Sequence, residues 1–341
     1  MEPHRVTGAY PSLVLGERVD PGHQENGPLG WHTVAAVTTA ACRLSRRAAT
    51  AALGVLLCGT VGSLLPASFL EPAYATNFYA PAEPYSAASV ARGSALYSEN
   101  CVSCHGLSGR GDGPAAVGLR IRPANLTERH LFAHSPADLF RWVSRGRANG
   151  AMPGFAAALT PGQRWDVISF IRARAAGVLV RELGGEITAV GYPIPQFAFE
   201  ADGVQGTLRR MLARGPVLLV LCGPSAPSTR LQELAAVRQR VIAAGLQVLA
   251  VELGEGAGKT AHVDAANLPL IVRVSGDVRA ALALFRAPTD GNETELILDK
   301  NGDVRARWTS DSLPDLDTLI AATAHIARGA VAAPSHVDHV H

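Results

Sequence analysis

The rhythm of hydrophobic and polar positions changes several times along this chain. Residues 48–70 (AATAALGVLLCGTVGSLLPASFL) form an uncharged run behind Arg43, Arg46 and Arg47, about the 20 apolar residues that a bilayer crossing takes. A core helix would tolerate Gly54, Gly59, Gly62 and Pro66 poorly. The arginine-bearing side should stay in the cytoplasm, so export is expected for everything beyond residue 71. Ala73-Tyr74-Ala75 offers an A-x-A cleavage pattern, so a retained anchor is expected with a cleaved leader as its alternative. Residues 1–75 are thus read as a polar tail plus signal or anchor segment. Residues 76–85, rich in proline and without periodicity, are read as a linker.

A helical period follows, from Ser89 to Tyr97 and again in GQRWDVISFIRARA (162–175). From Gly184 the period shortens. Pro216–Leu221 and Leu246–Val251 are uninterrupted apolar runs suited to buried parallel strands, and residues 228–244 between them have helical spacing, which makes a βαβ unit. Residues 294–299 and 304–308 flank Lys300-Asn301-Gly302-Asp303, a hairpin with an Asn-Gly turn. A last helix is expected over 314–327. The pattern predicts an all-α domain over 86–178, an α/β domain over 184–330 and a tail over 331–341.

Composition narrows the classes. The chain has 341 residues, 48% of them hydrophobic and 18% charged, which excludes wholesale disorder. A net charge of +2 gives no sign of nucleic-acid binding. The charge is uneven, however: residues 86–178 hold eleven arginines, no lysine and five acidic side chains.

Five cysteines are too few for a disulfide scaffold. Cys42 and Cys58 fall in the leader and are read as packing residues. Cys101-Val-Ser-Cys104-His105 is the attachment signature for a c-type haem, with two thiols for the haem vinyls and an adjacent histidine for the iron. One helical turn brings the three side chains to one face. A redox-active C-x-x-C or half a zinc site are the competing readings, but no second ligand pair is visible for zinc. A methionine as sixth ligand would raise the reduction potential. Of Met1, Met152 and Met211, Met152 sits in the glycine- and proline-rich loop 149–155, with His130 and His134 as rivals, while Met211 reads as packing.

With C-x-x-C-H, Met152-Pro-Gly-Phe155, the loop GLSGRGDGP (106–114), Arg122–Thr127, and Gly93, Tyr97, Trp165, Ile168 and Phe170 in two helices, residues 86–178 resemble class I cytochrome c domains. The resemblance implies one covalent haem c on Cys101 and Cys104, iron ligated by His105 and Met152, and a Pro123 carbonyl that orients the imidazole. Residues 184–330 resemble a thioredoxin-like redoxin of the peroxiredoxin and copper-chaperone type, but one lacking its chemistry. Cys222 stands alone without C-x-x-C, and Glu293 replaces the usual proline before a later strand. Together with the linker, the arrangement resembles the region behind copper-resistance-D type membrane domains in bacterial fusions.

The expected function is that of an exported electron carrier rather than an enzyme, on the periplasmic side of a bacterial inner membrane. It would be tethered through its N-terminal segment and face redox partner proteins through an acidic docking patch on the partner. A haem-redoxin enzyme using Cys222 and a copper-handling module using the histidines of 335–341 are the alternatives. GEGAGKT (254–260) lacks the leading glycine of a phosphate loop and is read as a strand-to-helix connection.

Overall fold

The computed structural model describes residues 85–147, 150–201, 204–223, 229–254 and 270–327. All lie in one compact unit that spans residues 75–341. The leader with Cys42 and Cys58, the linker up to residue 84, residues 255–260 and the histidine tail lie outside the described residues, as do the expectations made for them. Among the described residues no helix is long and apolar enough to cross a membrane.

Helix α1 (Ala87–Asn100) starts where the Ser86 side chain accepts the Ser89 N–H, and it ends at Cys101. One further turn, α2 (Val102–His105), carries the C-x-x-C-H motif. Helices α3 (Pro136–Arg145) and α4 (Pro161–Arg181) each open with a capping box and a proline in the first turn. Ser135 pairs with Asp138 in the first box and Thr160 with Gln163 in the second. These reciprocal bonds satisfy the orphan amides of a helix start, so both helices begin where local sequence dictates. α1 and α4 cross in direct backbone contact at Gly93, where a Cβ would stand 1.9 Å from the Asp166 carbonyl oxygen. The Asp166 carboxylate locks the crossing by accepting from Ser89 Oγ at 2.7 Å and Arg92 Nε at 2.8 Å.

After α4 the chain builds a six-stranded sheet. Its strands are β1 (Tyr192–Pro193), β4 (Val217–Cys222), β5 (Gln247–Glu252), β6 (Leu270–Val272), β7 (Glu293–Leu298) and β8 (Asp303–Thr309), in the order β1-β8-β7-β4-β5-β6. β2 (Ala198–Ala201) and β3 (Val204–Thr207) form a separate hairpin. β4 pairs parallel with β5 and antiparallel with β7, which pairs antiparallel with β8. A βαβ unit followed by a ββα unit, with the first strand beside the hairpin, is the thioredoxin arrangement. The expected Asn-Gly turn is present, with Gly302 at φ +85°. The single helix expected over 228–244 is instead two, α6 (Thr229–Ala236) and α7 (Arg238–Ala243), which follow the short α5 (Leu208–Leu212). Val237 between α6 and α7 has left helical geometry at φ −104°, ψ +20°.

Alternation along β4 sorts the sheet into two faces. Leu218, Val220 and Cys222 point into a core closed by α6, α7 and α9 (Leu316–Ala327), with Leu231, Leu234, Val241, Leu319 and Ile326. On that side Arg230 of α6 is buried with its counter-ion, donating to the fully buried Glu295 of β7 at 2.7 Å. A charge taken from water in this way needs its partner. Val217, Leu219 and Leu221 point the other way, into a core shared with α8 (Gly276–Ala283) and with α1 and α4. Ala173, Ala176, Leu179 and Val180 of α4 belong to that same core. The helical half therefore covers one face of the sheet. Gly177 marks the closest approach, since a Cβ there would lie 2.3 Å from the Leu284 carbonyl oxygen. Arg181 of α4 donates to that carbonyl, and Phe132 meets Tyr192 with ring centroids 5.7 Å apart.

Candidate functional site

Cys101 caps α1 at its C-terminal end and α2 at its N-terminal end. Its N–H donates to the Tyr97 carbonyl at 2.9 Å, and its own carbonyl accepts from His105 N–H at 2.8 Å and Cys104 N–H at 3.2 Å. The two thiols and the imidazole thus share one turn, each half-buried. Burial pushes the Cys101 thiol up to about 11, with the neighbouring Cys104 adding to it. Burial also lowers the His105 pKa, although its backbone hydrogen bond opposes the shift. The imidazole is therefore neutral at pH 7, the form in which histidine ligates metals.

His105 Nδ1 stands 3.0 Å from the Ala124 carbonyl oxygen. This corrects the expectation for Pro123. The Pro123 carbonyl instead faces Gly111, close enough that a Cβ at 111 would be 2.2 Å from its oxygen. Gly111 N–H meanwhile donates to the His105 carbonyl at 3.0 Å. The turn of glycines thus occupies the space beside Pro123, and the next carbonyl, that of Ala124, reaches the ring. With Nδ1 engaged by a carbonyl, the tautomer leaves Nε2 as the ligating atom.

Met152 sits in a small hairpin after α3. Its N–H donates to the Arg147 carbonyl at 3.1 Å, and Arg147 N–H returns a bond to the Met152 carbonyl at 3.0 Å. Two glycines hold this loop against α3, Gly154 of the glycine- and proline-rich stretch and Gly146, which no sequence motif marks. At Gly146 (φ +83°) a Cβ would stand 2.4 Å from the Met152 carbonyl oxygen, and at Gly154 one would stand 2.7 Å from the Ser144 carbonyl oxygen. Met152 and Cys101 pack against the same core cluster, as do Trp142 and Phe155. The rival histidines are otherwise engaged: His130 Nδ1 lies 3.1 Å from Glu128, and His134 packs edge-on to Trp142 at 4.7 Å. Met211 packs against the core from α5 in the sheet half.

Two thiols one turn apart, a neutral imidazole with Nε2 left over, and a thioether in a braced loop form a donor set that fits a covalent haem. The same residues fit zinc less well, since among the described residues no group of three histidine, cysteine or carboxylate side chains is placed to hold a metal ion.

Cys222 lies at the C-terminal end of β4, where a redoxin carries its reactive thiol, but its side chain points into the α6/α7/α9 core and is 9% exposed. Burial first, then Glu293 and Glu252, pushes this thiol up to about 12. Its register partners are those same two glutamates, Glu252 on β5 and Glu293 on β7.

Residues 88–171 match the family model described as cytochrome C oxidase, cbb3-type, subunit III. The chain is 36% identical over 96 residues to the cbb3-type cytochrome c oxidase subunit FixP of Bradyrhizobium diazoefficiens, covering 28% of each chain. It is 35% identical over 74 residues to subunit CcoP of Azospirillum brasilense, covering 21% of this chain and 24% of that one. The chain thus spans less than a third of the length of these relatives. Among solved structures, a thiol:disulfide interchange protein DsbE from Chlorobium tepidum is 17% identical, with 44% of this chain and 100% of that chain covered and a TM-score of 0.31. The chain carries a cytochrome c domain followed by a redoxin-like domain.

Proposed function

We propose that this protein is an exported single-electron carrier with one covalent haem c. The observation that carries the reading is the single turn of Cys101, Cys104 and His105 with Nδ1 of the histidine bound by the Ala124 carbonyl. Cys101 and Cys104 would hold the ring through thioether bonds, and His105 Nε2 and Met152 Sδ would ligate its iron. The haem supplies a one-electron couple. The protein fixes the imidazole, braces the thioether through Gly146 and Gly154, and buries the site against α1, α3 and α4. The one C-x-x-C-H in this sequence supports a single haem. Relatives named as oxidase subunits support a place beside other redox proteins. The excess of arginine over 86–178 favours a partner with an acidic docking patch. The charge-free run 48–70 behind three arginines favours the periplasmic side of an inner membrane, anchored or released after cleavage. The buried, protonated Cys222 supports a redoxin-like domain without thiol chemistry.

The test is an optical spectrum of the chain produced with c-type haem maturation. A low-spin spectrum with the weak long-wavelength sulfur-to-iron band is expected, and Met152→Ala should abolish that band while the haem stays covalently bound. A band that survives Met152→Ala refutes the ligand assignment, and a chain that takes up no haem refutes the function.

A further inference from the structure

Arg174 lies on α4, well away in sequence from the C-x-x-C-H turn, yet its Nε–H donates to the Ser108 carbonyl at 3.0 Å. Its guanidinium sits 5.6 Å from the Phe170 ring centroid, and Phe170 in turn packs on Tyr97 at 5.1 Å. The Tyr97 hydroxyl donates to the Gly106 carbonyl at 2.9 Å. The loop after His105 is thus pinned from one side by two donors carried on the crossed helices. Gly109 lies directly over both, since a Cβ there would be 3.6 Å from Arg174 Cδ and from the Tyr97 hydroxyl.

The other side of this loop holds the segment that meets the imidazole. The Gly109 carbonyl accepts the Leu126 N–H at 2.7 Å, two residues beyond Ala124, whose carbonyl takes His105 Nδ1. Gly111 closes the circuit between the His105 carbonyl and the Pro123 backbone. We infer that Arg174 is a positioning residue for His105: through Ser108 and Gly109 it sets the place of the Ala124 carbonyl and so the orientation and basicity of the axial imidazole. This rests on the haem reading above. A carbonyl or carboxylate behind a ligating histidine tunes its basicity, and losing such a partner typically costs 10–100-fold in metal affinity or activity. Arginine suits the task because its planar fork presents Nε–H in a fixed direction, whereas a lysine ammonium is a flexible point donor.

The test uses the full chain loaded with haem, in the reduced state, and follows hydrogen exchange of the His105 ring N–H and the Leu126 amide by NMR. Arg174→Met keeps the apolar stem and removes the donors. It should speed exchange at both protons about tenfold or more, while core amides such as those of Val167 and Ala173 change less than about twofold, because the opening is local. Arg174→Lys should recover only part of the protection, because its donor is not held in a fixed direction, and Tyr97→Phe should give a smaller loss of the same kind. The reduction potential gives a second readout. A less basic imidazole favours the ferrous state, so Arg174→Met should raise the potential, by about 59 mV if the relative affinity for the two iron states changes tenfold. Unchanged ring N–H exchange in Arg174→Met, or an equal acceleration of every core amide, overturns the positioning role while leaving the haem reading intact. If Arg174→Met does not accumulate, Arg174→Lys and Tyr97→Phe decide, and wild-type exchange in both overturns the role. A wild-type chain without haem overturns both readings together.

Discussion

Gly177 offers a perturbation whose sign distinguishes two pictures of this molecule. If the cytochrome helices formed a free-standing domain, the C-terminal part of α4 would face water, and Gly177→Ala would stabilise it by about 1 kcal/mol through helix propensity. In the structure a Cβ at 177 would stand 2.3 Å from the Leu284 carbonyl oxygen and 3.3 Å from the Leu284 Cβ. Ordinary contact needs at least about 3.2–3.4 Å, so α4 and the end of α8 must separate by roughly an ångström. Because the clashing atoms are backbone and cannot swing aside, the cost falls in the upper part of the usual overpacking range, about 2–3 kcal/mol. The shared core would also loosen at Ala176, Leu179 and Val180. Set against the gain in propensity, the expected net effect is a loss of about 1–2 kcal/mol, or a fall in Tm of about 2–8 °C for a unit of this size. The assay is urea unfolding of the loaded chain, followed by both far-UV ellipticity and haem absorbance. Gly162→Ala is the control, because a Cβ there meets nothing within 4 Å. Both signals should shift together in Gly177→Ala, since one core spans the helices and the sheet. A stabilised or unchanged Gly177→Ala protein, or haem and ellipticity transitions that move separately, would refute the shared-core argument.

Two further outcomes follow from the site and its surroundings. Raising a thiol from 9.0 to about 12 lowers its thiolate fraction about a thousandfold at neutral pH. Alkylation located at Cys222 by mass spectrometry should therefore be slower by that order in the folded chain than in urea, and should climb tenfold per pH unit; equal rates folded and unfolded would reinstate a reactive redoxin. Electron transfer to an acidic partner should slow steeply as salt rises through the range where the Debye length shrinks below about 10 Å, and a rate indifferent to ionic strength would remove the steering by arginine.

The C-x-x-C-H turn was legible because its chemistry is local: three side chains within five residues need only one helical turn to converge, and α2 supplies it. The loop of Met152 was legible as a fixed backbone through its glycines and proline, and the structure holds it through the paired bonds of Arg147 and Met152. The helical spacing of α4, the apolar runs of β4 and β5 and the Asn-Gly hairpin likewise depend on neighbours in sequence, and each stands where the pattern predicted. Which carbonyl meets His105 was decided by tertiary structure, because the positions of Pro123 and Ala124 depend on how closely Gly111 can approach them. Arg174 and Gly177 carry no local signal at all. One reads as a polar position on a helix and the other as a weak helix former, until the fold brings Ser108 and Leu284 beside them. Sequence alone thus specifies the C-x-x-C-H turn and the change from helical to strand spacing along the chain. The packing of α1 and α4 onto the sheet comes from long-range burial, because an apolar helix face and an apolar sheet face show no preference for each other until both must leave water.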